Sequence, residues 1–195
     1  MRLLVKGDSH CRTIAEALKV ITPNTELYTI SVGGQNSDIA AQYRHEIPFI
    51  NAFRPQLAII HMGHNDLAWH PTKNEIPAVS RDVSRTTLNL ANSISTNHPP
   101  VRITISAVYP RTYKHDSILN RAQVRKYNGL AKRHGQRLTT RAEEAGHKAL
   151  YTKALWKKIS IALEESKYFC RDGLHLNSAG TYAIAHEWSA ALRLT

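Results

Sequence analysis

Ser9 stands directly after a short apolar run, in the tetrapeptide Gly7-Asp8-Ser9-His10. A serine hydroxyl is a weak nucleophile until a neighbouring base takes its proton. Such a base stands near the other end of the chain, where His175 follows Asp172 by three residues in Asp172-Gly173-Leu174-His175. At that spacing one ring nitrogen can turn to the carboxylate within a single turn. The carboxylate then fixes the tautomer and stabilises the imidazolium that forms when the other nitrogen accepts a proton. An oxyanion formed by attack on a carbonyl needs aimed donors. Ser9 N–H at a helix start is one. A loop N–H from Gly33-Gly34-Gln35-Asn36-Ser37 and a side-chain amide from Gly63-His64-Asn65-Asp66 are two more. The chemistry these residue types share is acyl transfer.

The four segments are far apart in sequence, so the fold must gather them. Short aliphatic or β-branched runs occupy residues 3–6, 27–32, 57–61 and 101–109, with a weaker one at 148–152. Runs of this kind, bounded by Gly or Pro, read as buried parallel strands. Helical patterns fill the intervals at 13–20, 37–53, 78–95, 119–145 and 178–192. Pro48 is expected to kink or split the second of these, and Gly129 and Gly135 interrupt the fourth. The alternation predicts an α/β fold in which helices cover both faces of a five-stranded parallel sheet. A chain of 195 residues fits one such domain over residues 1–195. Ligands of these sheets bind outside the carboxyl ends of the strands, where the chemistry-bearing segments fall. Residues 110–117 are predicted as an exposed loop.

In this order and context the segments resemble the SGNH/GDSL hydrolase superfamily over essentially the whole chain. Gly7-Asp8-Ser9 matches the first block, with Ser9 as nucleophile. The glycine loop matches the second, where Gly34 fits best as oxyanion donor and Gly33 is the alternative. Gly63-His64-Asn65-Asp66 matches the third, with Asn65 as a further donor, and Asp172 to His175 match the fifth. The departure is His10, where the family has leucine. The resemblance implies a three-layer α/β/α sandwich of flavodoxin-like type. It also implies a serine esterase with a Ser9-His175-Asp172 triad, an oxyanion hole of Ser9, Gly34 and Asn65, and no cofactor. The compact size and the wording Asp172-Gly173-Leu174-His175-Leu176-Asn177 are similar to the esterase domain of first-open-reading-frame proteins of LINE-type retroelements. Asp8 reads as a brace of its turn and Asp66 as a structural residue. Ser9 also fits a helix N-cap, and Asn65 a turn residue. With little length to spare for a lid, short acyl or acetyl esters are the expected substrates.

The formal net charge is +11, which points to an anionic partner. The excess is concentrated: Arg111, Lys114, Arg121, Arg125, Lys126, Lys132, Arg133, Arg137 and Arg141 share their stretch with one acid, Asp116. Arg133, Arg137 and Arg141 are four apart and stack on one helix face. Arg125, Arg133, Arg137 and Arg141 are therefore candidate phosphate contacts, to nucleic acid or an anionic membrane, with a solvated charged face as the alternative reading. The bare fold used as a binding module, with hydrolysis secondary, is the competing function.

No apolar run reaches the length of a membrane span, and the first residues are too few for a secretory apolar region, so a soluble chain with no visible address is expected, its few cysteines favouring an intracellular place. Two cysteines, Cys11 and Cys170, make no disulfide framework; they flank the candidate site, and a bridge between them stays open. The histidines near Gly63 show no metal-ligand spacing, and no metal is expected.

Overall fold

The computed structural model describes residues 1–33, 36–40, 45–69, 76–113, 119–151 and 166–194. Five strands form one sheet: β1 (Arg2–Asp8), β2 (Glu26–Val32), β3 (Leu57–His61), β4 (Arg102–Ser106) and β5 (Lys148–Leu150). Their order is β2-β1-β3-β4-β5 and every neighbouring pair is parallel. β1 is followed by β2 on one side and has β3 on the other, so the order reverses there. A crevice opens beyond the carboxyl ends of β1 and β3 at such a switch point.

The described helices are α1 (Ser9–Ile21), α2 (Ser37–Ala40), α3 (Ile47–Phe53), α4 (His64–Trp69), α5 (Ile76–Asn97), α6 (Arg121–Glu144) and α7 (Ser178–Leu192). Alternation along the strands divides the core in two. Leu3, Val5, Leu57 and Ile59 pack with Ile14 and Leu18 of α1 and Ile184 and Trp188 of α7. Leu4, Ala58, Ile60, Ile103 and Ile105 face the other way, onto Leu90 and Ile94 of α5 and Leu138 and Ala142 of α6. This is the three-layer sandwich expected. Each fully buried aliphatic side chain contributes about 1.5–3 kcal/mol of transfer free energy.

The predicted elements hold, with differences that have local causes. The pattern over 37–53 is split as Pro48 required, and Pro48 stands in the first turn of α3, where its missing N–H costs nothing. α1 begins four residues before its predicted start because the Asp8 side chain caps it at His10 N–H. α6 runs through both glycines. α4 replaces an expected turn: Gly63 takes φ +110°, and the helix starts at the next residue. The strand expected over 101–109 stops at Ser106, and the chain then dives inward, burying Pro110 and Arg111. The expected exposed loop over 110–117 is therefore anchored at its start, and its residues 114–117 lie outside the described residues.

Candidate active site

The site is built at the carboxyl edge of β1. A Cβ on Gly7 would lie 1.8 Å from the carbonyl oxygen of His61, so only glycine lets β1 and β3 close here. Asp8, the last residue of β1, is 2 % exposed. Its Oδ1 accepts the His10 N–H at 3.1 Å, and its backbone carbonyl accepts the Ser31 hydroxyl at 2.8 Å. Ser9 follows as the half-buried first residue of α1.

Asp172 and His175 come together in the turn before α7. Cys170 N–H donates to His175 O, Asn177 N–H to Tyr168 O, and Asn177 caps α7 at Gly180 N–H. Within that turn Gly173 takes φ +68°. Asp172 Oδ1 accepts the N–H groups of Leu174 and His175 at 2.9 and 3.0 Å. Its Oδ2 lies 2.6 Å from His175 Nδ1. A carboxylate can only accept here, so Nδ1 carries the proton and Nε2 keeps its lone pair. Burial works against the Asp172 charge, but the bonds from His175 and Leu174 outweigh it and hold the carboxyl below its ordinary range.

Between these two corners lies a group of buried rings. His10 is 5.2 Å from His175 and 4.4 Å from His64, centroid to centroid. His64 is 4.8 Å from His61, and Tyr109 lies against all three buried imidazoles. Asp8 Oδ2 lies 3.0 Å from His64 Nδ1. Burial keeps His10 and His61 uncharged, the latter pushed down to about 4. Burial also opposes the Asp8 charge, and His64 offsets it, leaving the carboxyl below its usual range. Asp8, His61 and His64 place one ligand atom each within 4.8 Å of one another, a donor set that zinc accepts. Both ring nitrogens of His64 and both oxygens of Asp8 are already hydrogen-bonded. His61 Nε2 is buried with no partner among the described residues, its Nδ1 lying 3.3 Å from Ser106 O.

The other expected residues are distributed as follows. Gly33 adjoins Ser9, a Cβ there lying 4.0 Å from Ser9 Cβ; Gly34 lies outside the described residues. Asn65 is the second residue of α4, half-buried, beside His64. Asp66 has a structural contact, accepting the Ser37 N–H and hydroxyl at 2.9 Å each and so tying the second block to the third. Both cysteines are free: Cys11 donates to His61 O and Cys170 to Leu176 O.

The basic segment does not form one uniform face. Arg121, Arg125, Lys132, Arg133 and Arg141 are exposed on α6, but Arg137 is half-buried and reaches Ser80 Oγ. Arg111 is 5 % exposed, its guanidinium 4.4 Å over the Tyr127 ring and its Nη2 3.4 Å from His64 O. The inner face of α6 also touches the site, because Asn128 brackets the Arg111 backbone and Tyr127 donates to Tyr109 O. The basic helix therefore packs close to the strand ends, with its exposed arginines on the outer face. From the sequence His64 reads as lying at the active-site edge without a chemical role, and Tyr109 goes unnoticed; the one signal of each is its place just beyond the carboxyl end of β3 or β4.

No helix among the described residues is long and apolar enough to cross a membrane. Similar folds occur in a lipase from a goat rumen metagenome (TM-score 0.70, 16% identity, 100% of each chain covered) and in a lipase/acylhydrolase from Enterococcus faecalis (0.67, 10%, 98% of this chain and 95% of that one). A third is an acetyl xylan esterase (0.66, 15%, 98% and 100%). No curated protein matches the chain. The chain does match the family described as GDSL-like Lipase/Acylhydrolase over residues 8–188. With the parallel sheet and the strand-end residues in place, it belongs to the GDSL-like lipase/acylhydrolase family and is a serine hydrolase of the SGNH type that acts on esters.

Proposed function

We propose that this chain hydrolyses carboxylic esters of short acyl groups, acetyl included, with Ser9 as nucleophile, His175 as base and then acid, and Asp172 as the carboxylate that orients it. The observation that carries this reading is the 2.6 Å bond from His175 Nδ1–H to Asp172, which leaves Nε2 as a proton acceptor. In the first step Ser9 Oγ bonds to the ester carbonyl carbon while its proton moves to His175 Nε2. The oxyanion is met by Ser9 N–H, the Asn65 amide and Gly34 N–H. The alkoxide leaves with the proton from Nε2, and water then attacks the acyl-enzyme through the same base.

Purified protein should hydrolyse p-nitrophenyl acetate faster than its octanoate homologue, and Ser9→Ala should abolish turnover with the circular dichroism spectrum unchanged. Sugar acetates belong in the same panel. Wild-type turnover by Ser9→Ala would overturn the mechanism, and a preference for octanoate would overturn the acyl length.

A second reading concerns the exposed arginines of α6, which suit a phosphate-bearing partner, nucleic acid or anionic membrane, alongside hydrolysis. Glutamate at Arg125, Arg133 and Arg141 together should weaken binding to single-stranded RNA or anionic vesicles. On single strands the log–log salt slope should drop by about 0.7 per lost contact. Absence of wild-type binding at low salt would reduce the face to solvated charge.

A further inference from the structure

We propose that His64 is a positioning residue of this esterase: a neutral imidazole, protonated on Nδ1, that holds Asp8, and through it the Ser9 turn, against the chain beyond β4. The role rests on the Ser9 reading above, and the tautomer does not.

The tautomer follows from two contacts. Tyr109 N–H donates to His64 Nε2 at 3.3 Å, so Nε2 must present a lone pair. The proton then belongs on Nδ1, which donates to Asp8 Oδ2 at 3.0 Å. Either other protonation state would lose a bond: an imidazolium would turn an N–H toward the Tyr109 N–H, and the Nε2–H tautomer would face both partners with the wrong polarity. The ring is 1 % exposed, so water cannot replace what is lost. Its charged neighbours are Asp8 from β1 and Arg111 from the chain after β4, with the buried rings of His10 and His61 beside it and His175 farther off. Among these influences burial is the largest and keeps the imidazole neutral.

Through this ring three strand ends share one reference point. Asp8 is the end of β1, His64 starts α4 beyond β3, and Tyr109 follows β4. Asp8 uses one oxygen for His64 and the other for His10 N–H in the first turn of α1. That turn aims Ser9 Oγ and Ser9 N–H. A carboxylate 2 % exposed cannot give up one bond and stay in place; it turns, and the first turn of α1 goes with it. The His10 ring, between His64 and His175, carries the displacement on to the base.

The two bonds can be separated, because an asparagine amide reaches the place of Nδ1 but not that of Nε2. His64→Ala should lower kcat about 10²-fold while leaving KM within about twofold, since misplacement acts on the reacting geometry rather than on binding. His64→Asn, which keeps the bond to Asp8, should recover to within about tenfold of wild type. Wild-type kcat in His64→Ala, or no recovery in His64→Asn, would overturn the role. Nitrogen-15 spectra of the wild-type ring test the tautomer without any turnover and before any variant is folded: a proton on Nδ1 and a bare Nε2 are expected. A proton on Nε2 would overturn the assignment. A wild type inactive on esters would overturn the Ser9 reading together with the role, whereas an active wild type beside an unimpaired His64→Ala overturns the role alone.

Discussion

The imidazole of His10 lies 5.2 Å from that of His175, the planes tilted by 38°, so the residue after the proposed nucleophile forms a wall for the proposed base. His175 is half exposed on its other side, and His10 is 4 % exposed. The contact is packing, which leucine can also supply. His10→Leu should therefore keep kcat within a few-fold of wild type, while His10→Ala, which leaves a gap beside the base, should lower it about tenfold. Steady-state kinetics on p-nitrophenyl acetate check both. A His10→Leu loss as deep as that of His10→Ala would mean the imidazole acts by its chemistry.

Asp172 is held by three hydrogen bonds from its own turn, two of them from backbone N–H groups. Asp172→Asn preserves the shape but offers His175 Nδ1 an amide, favouring the tautomer with the proton on Nε2. Turnover should fall by about 10³–10⁴-fold, as for other triads that lose the carboxylate. Because the side chain is partly exposed, the melting temperature should change little. An Asp172→Asn variant with near-wild-type kcat would remove Asp172 from the mechanism.

The sheet and the Asp172–His175 pair were readable because each depends on local pattern. Aliphatic runs ended by glycine or proline mark buried parallel strands, and an Asp-x-x-His spacing closes within one turn. The inner polar group was not readable. His10, His64 and Tyr109 meet across more than ninety residues of sequence, and nothing in their local wording tells a buried histidine from a surface one. Arg111 illustrates the same limit: next to Lys114 and Arg121 it reads as part of a basic face, whereas Asn128 and Tyr127 draw it inward. The start of α4 escaped notice because Gly63-His64-Asn65-Asp66 reads as turn chemistry, and the helix it opens is only six residues long.

Buried neutral histidines make stability acid-sensitive. His134 on α6 is fully buried with Nδ1 3.3 Å from Ser80 Oγ, and burial pushes its pKa down to about 4. Its folded value thus lies below the unfolded value of about 6.5. The unfolded chain binds the proton first as pH falls, so the stability from this group is complete above about 6.5 and is lost on the way down to about 4. The slope is about 1.4 kcal/mol per pH unit for such a group. His61 adds a similar share. His134→Leu should therefore flatten the decline of urea-unfolding free energy over that window by up to about 1.4 kcal/mol per pH unit. Parallel curves for mutant and wild type would show that His134 titrates normally in the fold.

Two glycines inside α6 should respond to alanine with opposite sign. A Cβ on Gly129 meets nothing within 4 Å, and the position is exposed. Gly129→Ala should stabilise by about 0.5–1 kcal/mol, by restricting the unfolded chain and favouring the helix. A Cβ on Gly135 would lie 2.7 and 2.8 Å from ring carbons of Tyr151. That ring cannot simply swing aside, because its hydroxyl donates to Lys132 O on the same helix. The helix gain of about 1 kcal/mol meets an overpacking cost of about 1–3 kcal/mol, so Gly135→Ala should be net destabilising. Combining it with Tyr151→Leu should bring stability back toward that of Tyr151→Leu alone, since the clash is then gone. Urea titrations of the four variants separate the effects. If Gly135→Ala were as stabilising as Gly129→Ala, the close seating of Tyr151 on α6 would be refuted.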